Sequence, residues 1–273
     1  IGQAIDCYMQ AFKLSEDRLD VMKELARIYE AAEQWNELVD ILERETAVIE
    51  DTEEKLPVRY KVGVVLETQL QNYEKAVESY NAVIAMDETH ADALKALERL
   101  NAGLERWTDL LKVYEYQLNA FQTSEDHIAI YEKVSNVYET RLNDLENAIS
   151  SMIQVTLIDS EYVSAYAELE RLYELAERWQ DMIETLNTHI NVLSNVGDHI
   201  ELYRKLGEVY RDKVMDAYHA VESYQYLIGI EPNDVPALYA LADLYESAED
   251  YISSIDYLNR VIGCITDTTE AIQ

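Results

Sequence analysis

The sequence predicts an all-α fold of antiparallel helix hairpins stacked into a solenoid, and three observations carry that reading. Residues recur every 72 positions: Trp35, Trp107, Trp179 and Tyr251; Ala4, Ala76, Ala148 and Ala220; Leu25, Leu97, Leu169 and Leu241. A further row of Tyr8, Tyr80, Met152 and Tyr224 keeps the spacing with one substitution. Independent rows sharing one ungapped period mark a repeated supersecondary unit. Within each half-period, apolar residues recur at i, i+3, i+4 and i+7, the spacing of one helix face, while acidic residues fill the other face. Only 7 Gly and 3 Pro occur in 273 residues, too few to punctuate an all-β chain with turns.

Each 72-residue period holds two hairpins of different type. The first is ELARIYEAAEQWNELVDILERE (24–45), echoed by ELERLYELAERWQDMIETLNTH (168–189). The second is YRKLGEVYRDKVMDAYHAVESYQYLIGIEPN (203–233), echoed by YEKVSNVYETRLNDLENAISSMIQVTLIDSE (131–161). In order, the pattern predicts a lone second helix at about 1–17, then hairpins at about 19–50, 56–88, 91–122, 127–159, 162–195, 199–231 and 235–265. The tail 266–273 aligns with the start of a further hairpin. Gly63, Ala76, Ala148, Gly207 and Ala220 are expected where helices cross closely, because small side chains let backbones approach. The Trp residues are expected where second helices begin, and the aromatic rows are read as core.

These residues reach a known family. Leu206-Gly207, Tyr210, Ala220, Tyr224 and Pro232, followed by Asn233 and Ala237-Leu238, resemble the tetratricopeptide repeat (TPR) pattern; Val62-Gly63, Leu66, Ala76 and Tyr80 match it again. The sequence departs from that pattern in two ways. Leu38, Leu110 and Met182 stand where the family has a small residue, and the gap from Gly207 to Ala220 is one residue longer than its consensus. Two hairpin types in alternation are similar to long bacterial TPR arrays. The resemblance covers the chain and implies a right-handed superhelix over 1–273 as a single continuous solenoid. Ile1 falls inside an amphipathic pattern and neither end shows a polar capping helix, so the expectation is a piece of a longer array. Any cellular address is expected in termini outside it.

Charge narrows the partners. Fifty-four acidic against 22 basic residues leave a formal net charge of -32. Such a surface repels phosphate backbones and anionic membranes, and no apolar run approaches a membrane span. Cys7 and Cys264 lie near opposite ends and define neither a metal-ligand spacing nor a disulfide framework. The five His, at 90, 127, 189, 199 and 219, form no ligand pair of the HExxH kind, although His189 and His199 flank one loop and could meet. The acids at 51–54 and 124–127 suit first helical turns, where they oppose the macrodipole, better than calcium ligation. No GxxxxGK[ST], GxGxxG or GxSxG motif is present. Neither catalysis, nor a metal, nor a cofactor is expected.

What remains is a recognition surface. The TPR resemblance implies a concave groove lined by first-helix positions, which here include Lys23, Arg27, Tyr60, Lys95, Arg99, Glu132, Asn136, Arg171, Arg204, Arg211 and Tyr239. Seven of the 22 basic residues fall in this set. The family's carboxylate clamp is not reproduced: Lys23 and Lys95 hold one of its positions, but Arg27 and Arg99 replace the Asn that should follow. The expectation is a scaffold that binds a protein or peptide segment, acidic or carboxylate-ended, or that assembles a larger complex. The same arginines could instead pair with Glu24, Glu30, Glu98, Glu170 and Glu174. The alternatives are a helical-repeat nucleic-acid reader, which the charge opposes, and a non-catalytic part of a larger enzyme.

Overall fold

The computed structural model describes the backbone of residues 2–14 and 18–272 and the side chains of residues 5–14 and 18–265. Expectations resting on Ile1, on the side chain of Ala4, on residues 15–17 and on the side chains of 266–273 lie outside the described residues. Among the described residues there are fifteen α-helices and no β-strand. Helix α1 (Gly2–Leu14) precedes the pairs α2 (Leu19–Ala31) with α3 (Trp35–Val48), α4 (Thr52–Thr68) with α5 (Tyr73–Ile84), and α6 (Ala91–Gly103) with α7 (Trp107–Ala120). There follow α8 (Ser124–Thr140), α9 (Leu145–Ile158) and the pair α10 (Val163–Leu175) with α11 (Trp179–Val192). The last pairs are α12 (His199–Val209) with α13 (Ala217–Ile230) and α14 (Val235–Ser247) with α15 (Tyr251–Ile272).

Two boundaries differ from expectation. Helix α4 starts at Thr52 rather than near 56, because the Asp51 carboxylate accepts the Glu53 N–H and caps an acidic first turn, leaving Pro57 inside the helix. The tail after 265 continues α15 to Ile272 instead of opening a new hairpin. No Pro or Gly lies in that stretch to stop it.

The chain divides into two compact units, Ile1–Val137 and Tyr138–Gln273. In the first, consecutive helices from α1 to α6 pack on one another around Leu25, Leu38, Val62, Ala76, Leu94 and Leu97, all at most 1% exposed. Leu38, Leu110 and Met182 are buried where the family has a small residue. Two hairpins of the other type show glycine-permitted close approach. A Cβ added to Gly63 would sit 2.7 Å from Cε1 of Tyr80, whose hydroxyl donates to Glu67 at 2.9 Å. Burial and that carboxylate push the Tyr80 phenol well above its ordinary range. In the second unit, Gly207 stands in the same relation to Tyr224, at 2.8 Å, beside fully buried Ala220. Burial pushes the Tyr224 phenol up to about 12.

Each hairpin turns through one residue of positive φ, and none of the seven is glycine: Glu33, Gln71, Glu105, Asn143, Glu177, Met215 and Glu249 have φ from 51° to 60°. In the Trp- and Tyr251-bearing hairpins the turn is a Schellman motif. Glu177 N–H donates to the Glu174 carbonyl and Arg178 N–H to the Tyr173 carbonyl, and the bonds around Glu33, Glu105 and Glu249 are the same. In the alternate hairpins the closing bond is one residue longer, from Asn72 to Leu66, Asp144 to Tyr138 and Asp216 to Tyr210. That extra turn residue is the longer gap between Gly207 and Ala220. After α12 it is taken up as a π-helical turn, Tyr210–Val214, ending at Met215.

Candidate functional site

The predicted face maps onto the first helices of the hairpins. Lys23 and Arg27 lie on α2, Tyr60 on α4, Lys95 and Arg99 on α6, Glu132 and Asn136 on α8, Arg171 on α10, Arg204 on α12 and Tyr239 on α14. Arg211 sits in the π-helical turn. Lys23, Arg27, Lys95, Arg99, Asn136, Arg171 and Tyr239 are exposed, while Tyr60, Glu132, Arg204 and Arg211 are half-buried.

Tyr60, Arg99, Arg171 and Arg204 each meet a residue of a neighbouring hairpin. Arg99 pairs with Glu67 in the first unit, and Arg171 makes a bidentate pair with Glu139 in the second, at 2.7 and 2.6 Å. Arg171 also takes Glu168 one turn before it, and Arg27 takes Glu24 in the same way. Arg204 reaches forward to Asp234 at 2.9 Å, where Asp234 caps α14. Tyr60, at the same register as Arg204, meets His90, the cap of α6, with ring centroids 4.9 Å apart. Arg211 turns instead to Asp212 and lies over the Tyr224 ring. The carboxylates Glu67, Glu139 and Asp234 are only 11, 18 and 10% exposed, whereas Arg99 and Arg171 remain 65 and 42% exposed. The acids anchor; the guanidinium groups face solvent.

A second column was missed from the sequence. Glu45 on α3, Gln117 on α7 and His189 on α11 share one register and are 3, 2 and 6% exposed. Gln117 donates to Glu98 at 2.8 Å, and Lys133 donates to the same carboxylate at 2.7 Å. In the second unit the His189 Nδ1–H donates to Glu170 at 2.6 Å, Lys205 donates to its other oxygen at 3.1 Å, and Tyr166 stacks on the imidazole. At the first register Ala26 replaces the acid, and the buried Glu45 carboxyl is pushed up by desolvation, with Lys23 and Lys61 drawing it back. The signal was three polar residues at 72-residue spacing inside an apolar stripe. Against 54 acids it did not stand out.

His199 turns its Nε2 to the Leu193 carbonyl at 3.0 Å, while His189 points to Glu170. Among the described residues no group of three or more His, Cys, Asp or Glu could hold a metal ion, and no helix is long and apolar enough to cross a membrane. Asp51 caps α4, whose first turn holds Glu53 and Glu54, and Glu125 and Asp126 lie in the first turn of α8.

Comparison with known proteins agrees with the repeat geometry. Family models described as tetratricopeptide repeat match residues 21–56, and 56–90 with 235–263. Superkiller protein 3 of Schizosaccharomyces pombe is 22% identical over 204 residues, 71% of this chain; the chain spans 14% of that relative's length. The structure of Naa15/Naa10 bound to HypK-THB superposes with a TM-score of 0.52 and 14% identity, covering 88% of this chain and 36% of that one. The crystal structure of MamA gives a TM-score of 0.40 and 18% identity over 75% of this chain and 95% of the other. Residues 21–90 and 235–263 thus match the tetratricopeptide repeat, and the paired antiparallel helices and the Gly–Tyr close contacts of the alternate hairpins agree with that repeat.

Proposed function

We propose that the chain is a protein-interaction scaffold whose first-helix faces bind an acidic or carboxylate-ended segment of a partner. The repeats belong to a scaffold class, and the chemistry of these faces is recognition rather than catalysis. One observation carries the finer reading: exposed arginines at the candidate positions are held by nearly buried carboxylates. A guanidinium has five donors in a fixed fork; Arg99, bound along one edge by Glu67, keeps three for a ligand, whereas Arg171, bound by Glu139 and Glu168, keeps one. An arginine already held in place also loses less rotamer freedom when it binds. Lys23 and Lys95, exposed and without an ion pair among the described residues, add charge beside them.

Lys95 allows the clean test, because it makes no ion pair among the described residues, whereas Lys23 also steadies the buried Glu45 carboxylate. A fluorescent Glu-rich peptide with a free C-terminus should bind, weaken as salt is raised, and lose affinity in the Lys95→Glu variant while the melting midpoint holds. A triple variant, Arg27→Glu, Arg99→Glu and Arg171→Glu, should lose it too. Unchanged binding in a folded lysine variant, or equal binding of a Lys-rich peptide, would refute the acidic-segment reading.

A further inference from the structure

The junction between α13 and α14 holds a groove of about 430 Å³ lined by Ala217, Tyr218, Val221, Glu222, Leu244 and Tyr245, among others. Tyr218 is 74% exposed on its rim. Glu222 is exposed and has no ion-pair or hydrogen-bond partner among the described residues. Tyr245 is fixed in place: its hydroxyl accepts from Gln225 at 3.1 Å, and Tyr257 stacks on it with centroids 5.6 Å apart at 13°. A fixed aromatic ring and an exposed one beside an unpaired carboxylate suit a cation with an apolar stem.

The preceding junction of the same type, between α9 and α10, contains that cation. There Arg178 lies over Tyr173, 5.1 Å from the ring centroid, and donates to Glu146 at 2.7 Å and Asp181 at 2.8 Å. One period later Tyr173 becomes Tyr245, so the ring is kept. Arg178 becomes Asp250, Glu146 becomes Tyr218 and Asp181 becomes Ser253. The chain has removed its own guanidinium, put an acid at that register and added a second exposed ring.

We propose that this groove is a docking site for an arginine side chain of a partner protein, which supplies the cation that Arg178 supplies internally one period earlier. The guanidinium packs against Tyr218 and Tyr245 and pairs with Glu222, and apolar neighbours of the arginine rest on Val221 and Leu244. The net charge of -32 favours the approach of such a segment. The site is separate from the first-helix faces and opposite in sign, so it stands or falls independently of the acidic-segment reading.

The test is NMR on the full chain, carbon-labelled at tyrosine and nitrogen-labelled at amides, titrated with acetyl-Leu-Arg-Leu-amide and with its uncharged citrulline counterpart. Titration to about 10 mM reaches affinities in the millimolar range. The arginine peptide should shift the Tyr218 and Tyr245 rings and the amides of 217–225, and the citrulline peptide should not. Tyr218→Ala and Glu222→Gln should each weaken binding about two- to fivefold, the size of one exposed cation–π or ion-pair contact. The double variant Tyr218→Glu/Asp250→Arg rebuilds the internal clamp and should abolish the response while the rest of the spectrum keeps its dispersion. Absence of any response by about 10 mM, equal response to citrulline, or shifts confined to other helices would overturn the proposal.

Discussion

Replacing Gly207 by alanine pits two terms of known sign against each other. The methyl group would stand 2.8 Å from two ring atoms and 3.0 Å from a third on Tyr224, which is only 2% exposed and closely surrounded. Ordinary contact needs 3.4 Å or more, so α12 and α13 must move apart by several tenths of an ångström. Overpacking of that kind costs about 1–3 kcal/mol. Helix propensity works the other way, since alanine gains up to about 1 kcal/mol over glycine. Gly229 on α13 isolates this second term, because a Cβ there meets nothing within 4 Å. Gly229→Ala should therefore raise the urea midpoint and Gly207→Ala should lower it, with about 1–3 kcal/mol of packing separating them. The sequence contains its own rescue: the register of Gly207 and Tyr224 carries Ser135 and Met152 one period earlier. Gly207→Ser should be destabilising alone and milder with Tyr224→Met, a coupling that a double-mutant cycle measures. Hydrogen exchange of the α12 and α13 amides should report the loss locally, since repeat arrays do not always unfold as one unit. If Gly207→Ala stabilises as much as Gly229→Ala, the close contact is not tight and the reasoning fails.

Three further outcomes follow from the same geometry. Met215, 78% exposed at φ 60°, should tolerate glycine with a gain of up to about 1 kcal/mol in unfolding free energy, because only glycine enters that region without a Cβ clash; a lower midpoint would refute this. Glu45→Gln installs the residue found one period later. The Glu45 carboxyl is raised above its unfolded value, so its ionised form penalises folding above the folded pKa, and the penalty fades as pH falls toward the unfolded one. The variant should be the more stable at pH 7, with the difference closing by about pH 4; an advantage that grows on acidification would contradict the sign. Lys205→Met leaves Glu170, 2% exposed, with one partner fewer, whereas Lys112→Met frees an Asp109 that is 51% exposed. Thermal unfolding should register the first as several-fold more costly than the second, which belongs with surface pairs of about 0–1 kcal/mol.

The sequence by itself determined the helices, their pairing and the alternation of two hairpin types. Those properties are local: an apolar stripe at helical spacing selects helix, and a 72-residue register stacks equivalent faces. It also named Gly63, Gly207, Ala76 and Ala220 as contact points, because only small residues permit the approach. The candidate face was legible as a set of positions, since Arg27, Arg99 and Arg171 recur with the period. Only the tertiary structure decided which carboxylate each arginine meets. Arg99 meets Glu67 and Arg171 meets Glu139, each 32 residues earlier in the chain, while Arg171 also takes Glu168 and Arg27 takes Glu24 from the preceding turn of its own helix. With 54 acids on the chain, composition offers many partners, and helix crossing selects among them by bringing two turns within hydrogen-bonding reach. The same holds for Tyr245 and its counterpart Tyr173: their identities were always readable, but only the structure lays Arg178 over Tyr173 and opens a groove beside Tyr245 one period later.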